Sequence, residues 1–243
     1  LGLTQRLDKS KSLWILATIL SSLIHFYFTA ILLTMYSILR ISDFYLYKEN
    51  FLNFIKDFFL IISSALLTLY LSGYFEIRIA DSLGIGFGVY KLNILSFLDP
   101  GVASINDSAI YGEGNYMNWS LFLPDINLSA GEEVEGFNYF GLGQIIIILL
   151  ALILYLNKNY KTNLIEIKEN KRIKIIFLMS IFFTLWALSN KISFGSLTLI
   201  EIPIHKFIFG LMSIIKSTGR IFWIVNYFLL IISLIIIFKC FKE

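Results

Sequence analysis

The sequence predicts an all-α fold: a polytopic helical membrane protein with about five transmembrane helices, one large structured extracytoplasmic loop and one interfacial or re-entrant helix. Three observations carry that expectation. Of 243 residues, 57% are hydrophobic and only 15% are charged, against roughly 25% charged in soluble chains. The mean hydropathy is +0.77. The apolar residues also gather into long uninterrupted blocks, and such blocks read as spans, because inside a bilayer only a helix satisfies every backbone N–H.

The first apolar run extends from about Leu13 to Leu39 and is long enough to tilt or to begin in the interface. The second is FFLIISSALLTLYLSGYF, Phe58 to Phe75, and the third is YFGLGQIIIILLALILYL, Tyr139 to Leu156. A fourth begins at Ile175 and is clear to about Ser189, and the fifth is IFWIVNYFLLIISLIIIF, Ile221 to Phe238. Between the last two, EIPIHKFIFGLMSIIKSTGR places Lys206, Gly210, Ser213 and Ser217 in a small-polar stripe opposite Phe207, Phe209 and Leu211. That pattern suits a helix lying at headgroup level.

Lysine and arginine set the expected orientation. Six of them fall between Asn157 and Lys174, Arg40, Lys48 and Lys56 mark the link between the first two runs, and Lys239 and Lys242 end the chain. These are placed in the cytoplasm. Residues 76–138 hold only Arg78 and Lys91 against nine acids, so this loop is expected outside, with the N-terminal end and the segment before the fifth run. It is too aromatic for a disordered linker. Residues 1–243 are taken as a single membrane domain. The opening LGLTQRLDKSKSLW lacks a Met and a signal-peptide pattern, and is read as the start of a C-terminal fragment of a longer chain.

Several function classes fall away. The net charge of +3 comes without a basic stripe for phosphate neutralisation, which excludes a nucleic-acid partner. A single cysteine, Cys240, leaves no intrachain disulfide or zinc cluster. GLGQII lacks the third glycine of a dinucleotide fingerprint, and GIGFG lacks the Lys-Ser/Thr of a P-loop. Both sets of glycines read as close-packing positions. The sequons at Asn106, Asn118 and Asn127 are treated as chance. His25 is the one ionisable residue inside the apolar runs as drawn, which disfavours an ion-coupled transporter. It reads as a packed, hydrogen-bonded histidine.

Two places keep a functional reading. If the fifth helix continues back through Gly219, Lys216, Arg220, Trp223 and Tyr227 share one face at spacings of four, three and four. Two cations would then sit above two amphipathic rings, and an arginine fork suits a phosphate or pyrophosphate. The competing reading is an interfacial belt with snorkelling cations. Among the loop carboxylates, Glu135 stands nearest the third run, beside Gly136, Phe137 and Tyr139. Partial burial there would raise its pKa and suit general-base work or a hydrogen bond to a sugar.

Several segments resemble a bacterial family of integral membrane proteins, domain of unknown function 6311. They are HFYF, SGYFEIR, GFGVYKLNILSFLDP, EVEGFNYFGLGQ and STGRIFW, in that order from Ile24 to Trp223. That family looks like part of the GT-C superfamily of membrane glycosyltransferases. The resemblance implies transfer of a sugar from a polyprenyl-phosphate or -pyrophosphate carrier at the outer face of the membrane, onto a cell-envelope glycan or lipid acceptor. It implies a catalytic carboxylate in a first outer loop, upstream of this chain. It also implies lipid-phosphate contacts at Arg220, which matches a Ser/Thr-Gly-Arg-aromatic motif, with Lys216 beside it. Tyr139 and Trp119 would line the acceptor side, since aromatic faces stack on sugars. Glu135 is the catalytic candidate within the chain. No cofactor is evident, and no residue argues for the divalent metal that such enzymes can use. The alternative is a non-enzymatic membrane protein, such as a lipid-linked glycan translocator or an assembly subunit.

Overall fold

A computed structural model describes residues 10–76, 86–103, 116–128, 137–157, 160, 164–205, 209, 212 and 215–241. The chain divides into two compact units, one of residues 1–82 and 170–179, the other of residues 83–169 and 180–243.

The first unit is a helical cluster of α1 (Lys11–Ile24), α2 (Phe26–Tyr47) and α3 (Phe51–Leu71). The first apolar run is therefore two helices and not one span. His25 breaks it: its backbone is extended, and its Nδ1 accepts the Tyr27 N–H at 3.2 Å, capping the second helix. The chain folds back at this point. Ser22 and Thr29 meet across the tip at 3.2 Å, and the rings of Trp14 and Tyr36 meet edge to face at 5.5 Å. The small residues Thr18, Ser21 and Ser22 on the buried face of α1 let the two backbones approach, their hydroxyls returning to carbonyls three or four residues back. In α3 the buried positions Asp57, Ile61, Ala65 and Leu69 recur every four residues, a stripe laid against α1 and α2.

The helices also run further than the apolar blocks, and their ends carry buried charge. Arg40 in α2 binds Glu49 in the turn that follows and reaches Asp57 of α3 at 3.1 Å, while Lys11 binds the same Asp57. Asp43, fully buried, takes a two-pronged contact from Arg172 at 2.6 and 3.0 Å. Lys11 and Arg40 thus share one carboxylate, so the two ends that were expected on opposite sides lie together.

The second unit contains α4 (Leu142–Leu156), the short α5 (Ile165–Glu169), the later part of α6 (Lys171–Leu188) and α7 (Phe222–Phe241). Helix α4 packs along α7, and Gln144 bonds the Asn226 side chain and, at 3.3 Å, its carbonyl. Two antiparallel strand pairs complete it. β1 (Gly101–Ala103) pairs with β2 (Tyr116–Asn118), and β3 (Lys191–Phe194) pairs with β4 (Leu197–Glu201) through a bulged register. Gly195, at φ +60°, turns the second hairpin at the position where a two-residue loop demands a left-handed residue.

Among the described residues, three helices are long and apolar enough to cross a membrane: Phe26–Tyr47, Phe51–Leu71 and the continuous stretch Thr218–Phe241. The fifteen residues of α4 reach about 22 Å at 1.5 Å each, short of the roughly 30 Å hydrocarbon layer. Helix α6 carries Lys171, Arg172 and Lys174 in its first turn. Of the segment expected to form the interfacial helix, residues 206–208, 210, 211, 213 and 214 lie outside the described ones. Phe209 and Met212 are helical and Ile215 to Ser217 are not, while Glu201, where that segment opens, ends strand β4.

Candidate functional site

Three segments of the second unit meet around the turn that starts α7. The stretch from Ile215 to Ser217 is irregular, Thr218–Ile221 forms one 3-10 turn, and the α-helix begins only at Phe222. This turn is clasped from three directions. Gly219 donates its N–H to the Tyr90 carbonyl at 3.0 Å, and the Thr218 hydroxyl donates to the Ala187 carbonyl at 3.2 Å. The buried Asn138 amide donates to the Gly219 carbonyl at 3.2 Å. Phe140 stacks flat on Phe222 at 6.0 Å, and the Trp223 indole donates to the Phe137 carbonyl at 3.3 Å.

Lys216 and Arg220 both sit half-buried in this clasp. The shared helical face does not form, because the backbone leaves the helix at Ser217, with φ −101° and ψ 77°. Lys216 is placed instead by packing: a β-carbon on Gly86 would stand 2.8 Å from the Lys216 Cβ and 3.2 Å from the Tyr90 ring. Glycine at 86 is what allows that approach. Trp223 and Tyr227 do keep their one-turn spacing on the exposed side of α7. Tyr139 follows Asn138 directly and so stands at the rim of the clasp, half-buried. Trp119 is largely exposed and is held through its backbone N–H on the Pro100 carbonyl, at 2.9 Å. No described contact joins it to Arg220. Glu135 lies outside the described residues.

Beside the clasp is an apolar cavity of about 360 Å³, lined by Phe87, Trp186, Ile202 and Met212 with Asn190 and His205 as polar members. Phe87 adjoins Gly86, and Trp186 adjoins Ala187, so two clasping segments continue into the cavity wall. The cations and the cavity are therefore built by the same backbone.

Sequence reasoning passed over the residues that hold this arrangement. Asn93, fully buried, donates to the Gly195 carbonyl at 2.8 Å and accepts the Leu95 and Gly195 N–H groups at 3.0 Å each. Lys91, also buried, donates to the Ser193 hydroxyl at 2.6 Å. Both fall within GFGVYKLNILSFLDP, and their polarity inside an otherwise apolar stretch was the available signal.

Asp99 is one of the nine acids of residues 76–138. It is buried, and one oxygen accepts the N–H groups of Gly101 at 3.1 Å and Ile126 at 3.0 Å. Burial pushes its pKa up; the two N–H bonds oppose this, and the charge and contact of the nearby Asp125 carboxylate add to the rise. A β-carbon at Gly101 would run into that carboxylate. A folded pKa above the unfolded one means that the protonated acid favours the fold. Its contribution is full below the ordinary carboxyl pKa of about 4 and is lost as pH rises through the raised value. Melting of the second unit is expected to rise as pH falls from neutrality towards that range. Asp99→Asn, which keeps both accepted bonds and can donate to Asp125, should flatten the dependence; a profile as steep as the parent's would contradict it.

Among the described residues, no three of His, Cys, Asp and Glu come close enough to hold a metal ion. A second cavity, of about 420 Å³, lies in the first unit among Lys11, Arg40, Glu49, Asn53, Lys56 and Asp57. Four of those side chains, Lys11, Arg40, Glu49 and Asp57, already pair with one another.

One family model, described as a domain of unknown function, matches residues 1–243. No curated protein and no solved structure matches the chain.

Proposed function

The chain belongs to the family described as domain of unknown function 6311, and on that premise we propose that it is the C-terminal part of a GT-C-like membrane glycosyltransferase. It would use a polyprenyl-phosphate-linked sugar at the outer face of a bacterial inner membrane, to modify a cell-envelope glycan or lipid. Arg220, with Lys216, contacts the lipid phosphate, while Tyr139 and the exposed ring of Trp119 serve the acceptor side. Glu135 keeps its candidacy as a catalytic carboxylate on sequence grounds alone.

One observation supports this reading above the others. Two half-buried cations are gathered at the start of an apolar helix, next to an apolar cavity whose walls continue the same segments. A phosphate carried on an isoprenoid chain needs that combination: charge-assisted donors for the headgroup and a concave apolar wall for the first units of the tail. Neither half alone would distinguish such a ligand from a free anion or an acyl chain.

The test is binding of a short-chain polyprenyl phosphate to the full-length protein in nanodiscs. Loss of a charge-assisted bond of about 1.5–3 kcal/mol corresponds to roughly a 10- to 100-fold weaker affinity. Arg220→Ala is expected to show that loss with unchanged melting, and Arg220→Lys to retain part of the affinity. Equal affinity for Arg220→Ala and parent would remove the phosphate role. The same site would also serve a translocator of lipid-linked glycans. Consumption of the lipid-linked sugar by the purified protein separates the enzyme from that alternative.

A further inference from the structure

We propose that the turn Trp119–Leu123 is a membrane-dipping anchor, inserting Leu121 and Phe122 into the lipid headgroup–acyl boundary and tying the β1–β2 element to the bilayer surface. The sequence there is WSLFL, and its large side chains are displayed, not packed: Trp119 is 71% exposed, Leu121 100% and Phe122 82%. An apolar tip this bare collapses onto its own protein unless the backbone forbids it, and here the backbone does. The Ser120 hydroxyl oxygen accepts the N–H groups of Phe122 at 3.2 Å and Leu123 at 3.1 Å, closing a tight turn.

The neck below the turn is equally fixed. Trp119 donates to the Pro100 carbonyl, and Asp99 holds Gly101 on one side of the neck and Ile126 on the other. The tip is therefore a rigid presentation of three apolar groups.

Its position in the unit identifies the occupant. The neck continues into Phe97, whose carbonyl accepts the Phe140 N–H at 3.2 Å and whose ring meets that of Phe140 at 5.5 Å. Phe140 in turn stacks on Phe222, the first residue of α7. Phe140 stands two residues before α4, and α7 belongs to a stretch long and apolar enough to cross a membrane. The base of the turn is thus one aromatic layer from the points where both apolar helices begin, which is the level of the bilayer boundary. A lipid surface is the neighbour always present at that level. Tryptophan is enriched there, and leucine and phenylalanine supply the buried side of interfacial anchors at depths of about 5–10 Å. A sugar is a poor match, because Leu121 and Phe122 offer no hydrogen bond to its hydroxyls. This inference stands independently of the phosphate reading of Arg220.

The full-length protein, with Cys240 replaced, is labelled with an environment-sensitive fluorophore through Leu121→Cys, through Phe122→Cys, or through Asn127→Cys as a polar control from the same loop. Each is reconstituted into liposomes. For the two tip sites, emission is expected to shift to the blue, with more than about half of it removed by a shallow spin-labelled lipid, while the Asn127 site responds to aqueous iodide instead. Iodide-accessible, unshifted emission at both tip sites would overturn the anchor. So would a blue shift that the spin-labelled lipid leaves untouched, since the tip would then be covered by protein.

Discussion

Asp43→Asn is expected to destabilise the first helical unit by about 3–5 kcal/mol, the usual cost of removing one partner from a buried ion pair. The Asp43 carboxylate is fully enclosed and receives both prongs of the Arg172 guanidinium, at 2.6 and 3.0 Å. Asparagine keeps the shape but leaves a buried cation facing a neutral amide, with one amine turned towards it. The effect is read from unfolding in detergent titrated with dodecyl sulfate, followed by circular dichroism. The companion measurement decides the cause. In Asp43→Leu/Arg172→Met both charges are gone, and most of the loss should be recovered, with a coupling of at least about 2 kcal/mol in the double-mutant cycle. Additive losses would mean that the pair contributes nothing beyond the packing of its two side chains.

This pair shows where sequence reading succeeds and where it stops. The apolar blocks announced helices correctly, because hydropathy is a local property and a block of that length has no other way to satisfy its backbone. Helix ends were harder. Arg40, Asp43, Asp57 and Arg172 look like loop charges in one dimension, since only the packed arrangement shows each meeting an opposite charge. His25 was legible as a hydrogen-bonded residue but not as a helix cap, because its neighbours are uniformly apolar on both sides. In the second unit, residue type, spacing and motif single out Lys216 and Arg220. The clasp around them is not legible, as it depends on carbonyls of Tyr90 and Ala187 that carry no sequence signature. The β3–β4 hairpin was missed although FGS offers a glycine turn, because its strands expose apolar residues and so lack the alternation of a half-buried strand.

Asn93→Ala should be the most damaging single change in the second unit, at about 3–5 kcal/mol, with each buried group left unpaired costing about 1–3 kcal/mol. The substitution strands the Leu95 and Gly195 N–H groups and the Gly195 carbonyl together, around a side chain that is itself fully buried. Hydrogen exchange is the direct reporter. Peptides covering residues 91–98 and 190–201 should lose protection in step, while α4 and α7 keep most of theirs. Asn93→Asp preserves the acceptor and should protect the Leu95 and Gly195 amides better than alanine does. If alanine leaves exchange in both peptides unaltered, the hairpin is held by its own strand pairing and Asn93 is incidental. Loosening at this point bears on the proposed phosphate site, because Leu92 donates to the Ala187 carbonyl, which also receives Thr218.

The fold-back at His25 has a topological outcome. Because α1 and α2 are the two arms of one hairpin, Lys11 and Arg40 finish beside each other, where both bind Asp57. Counting the first apolar run as a single passage would set Lys11 and Arg40 far apart, and their shared carboxylate sets them together. One extended residue, His25, thus turns an expected crossing into a hairpin whose two ends meet.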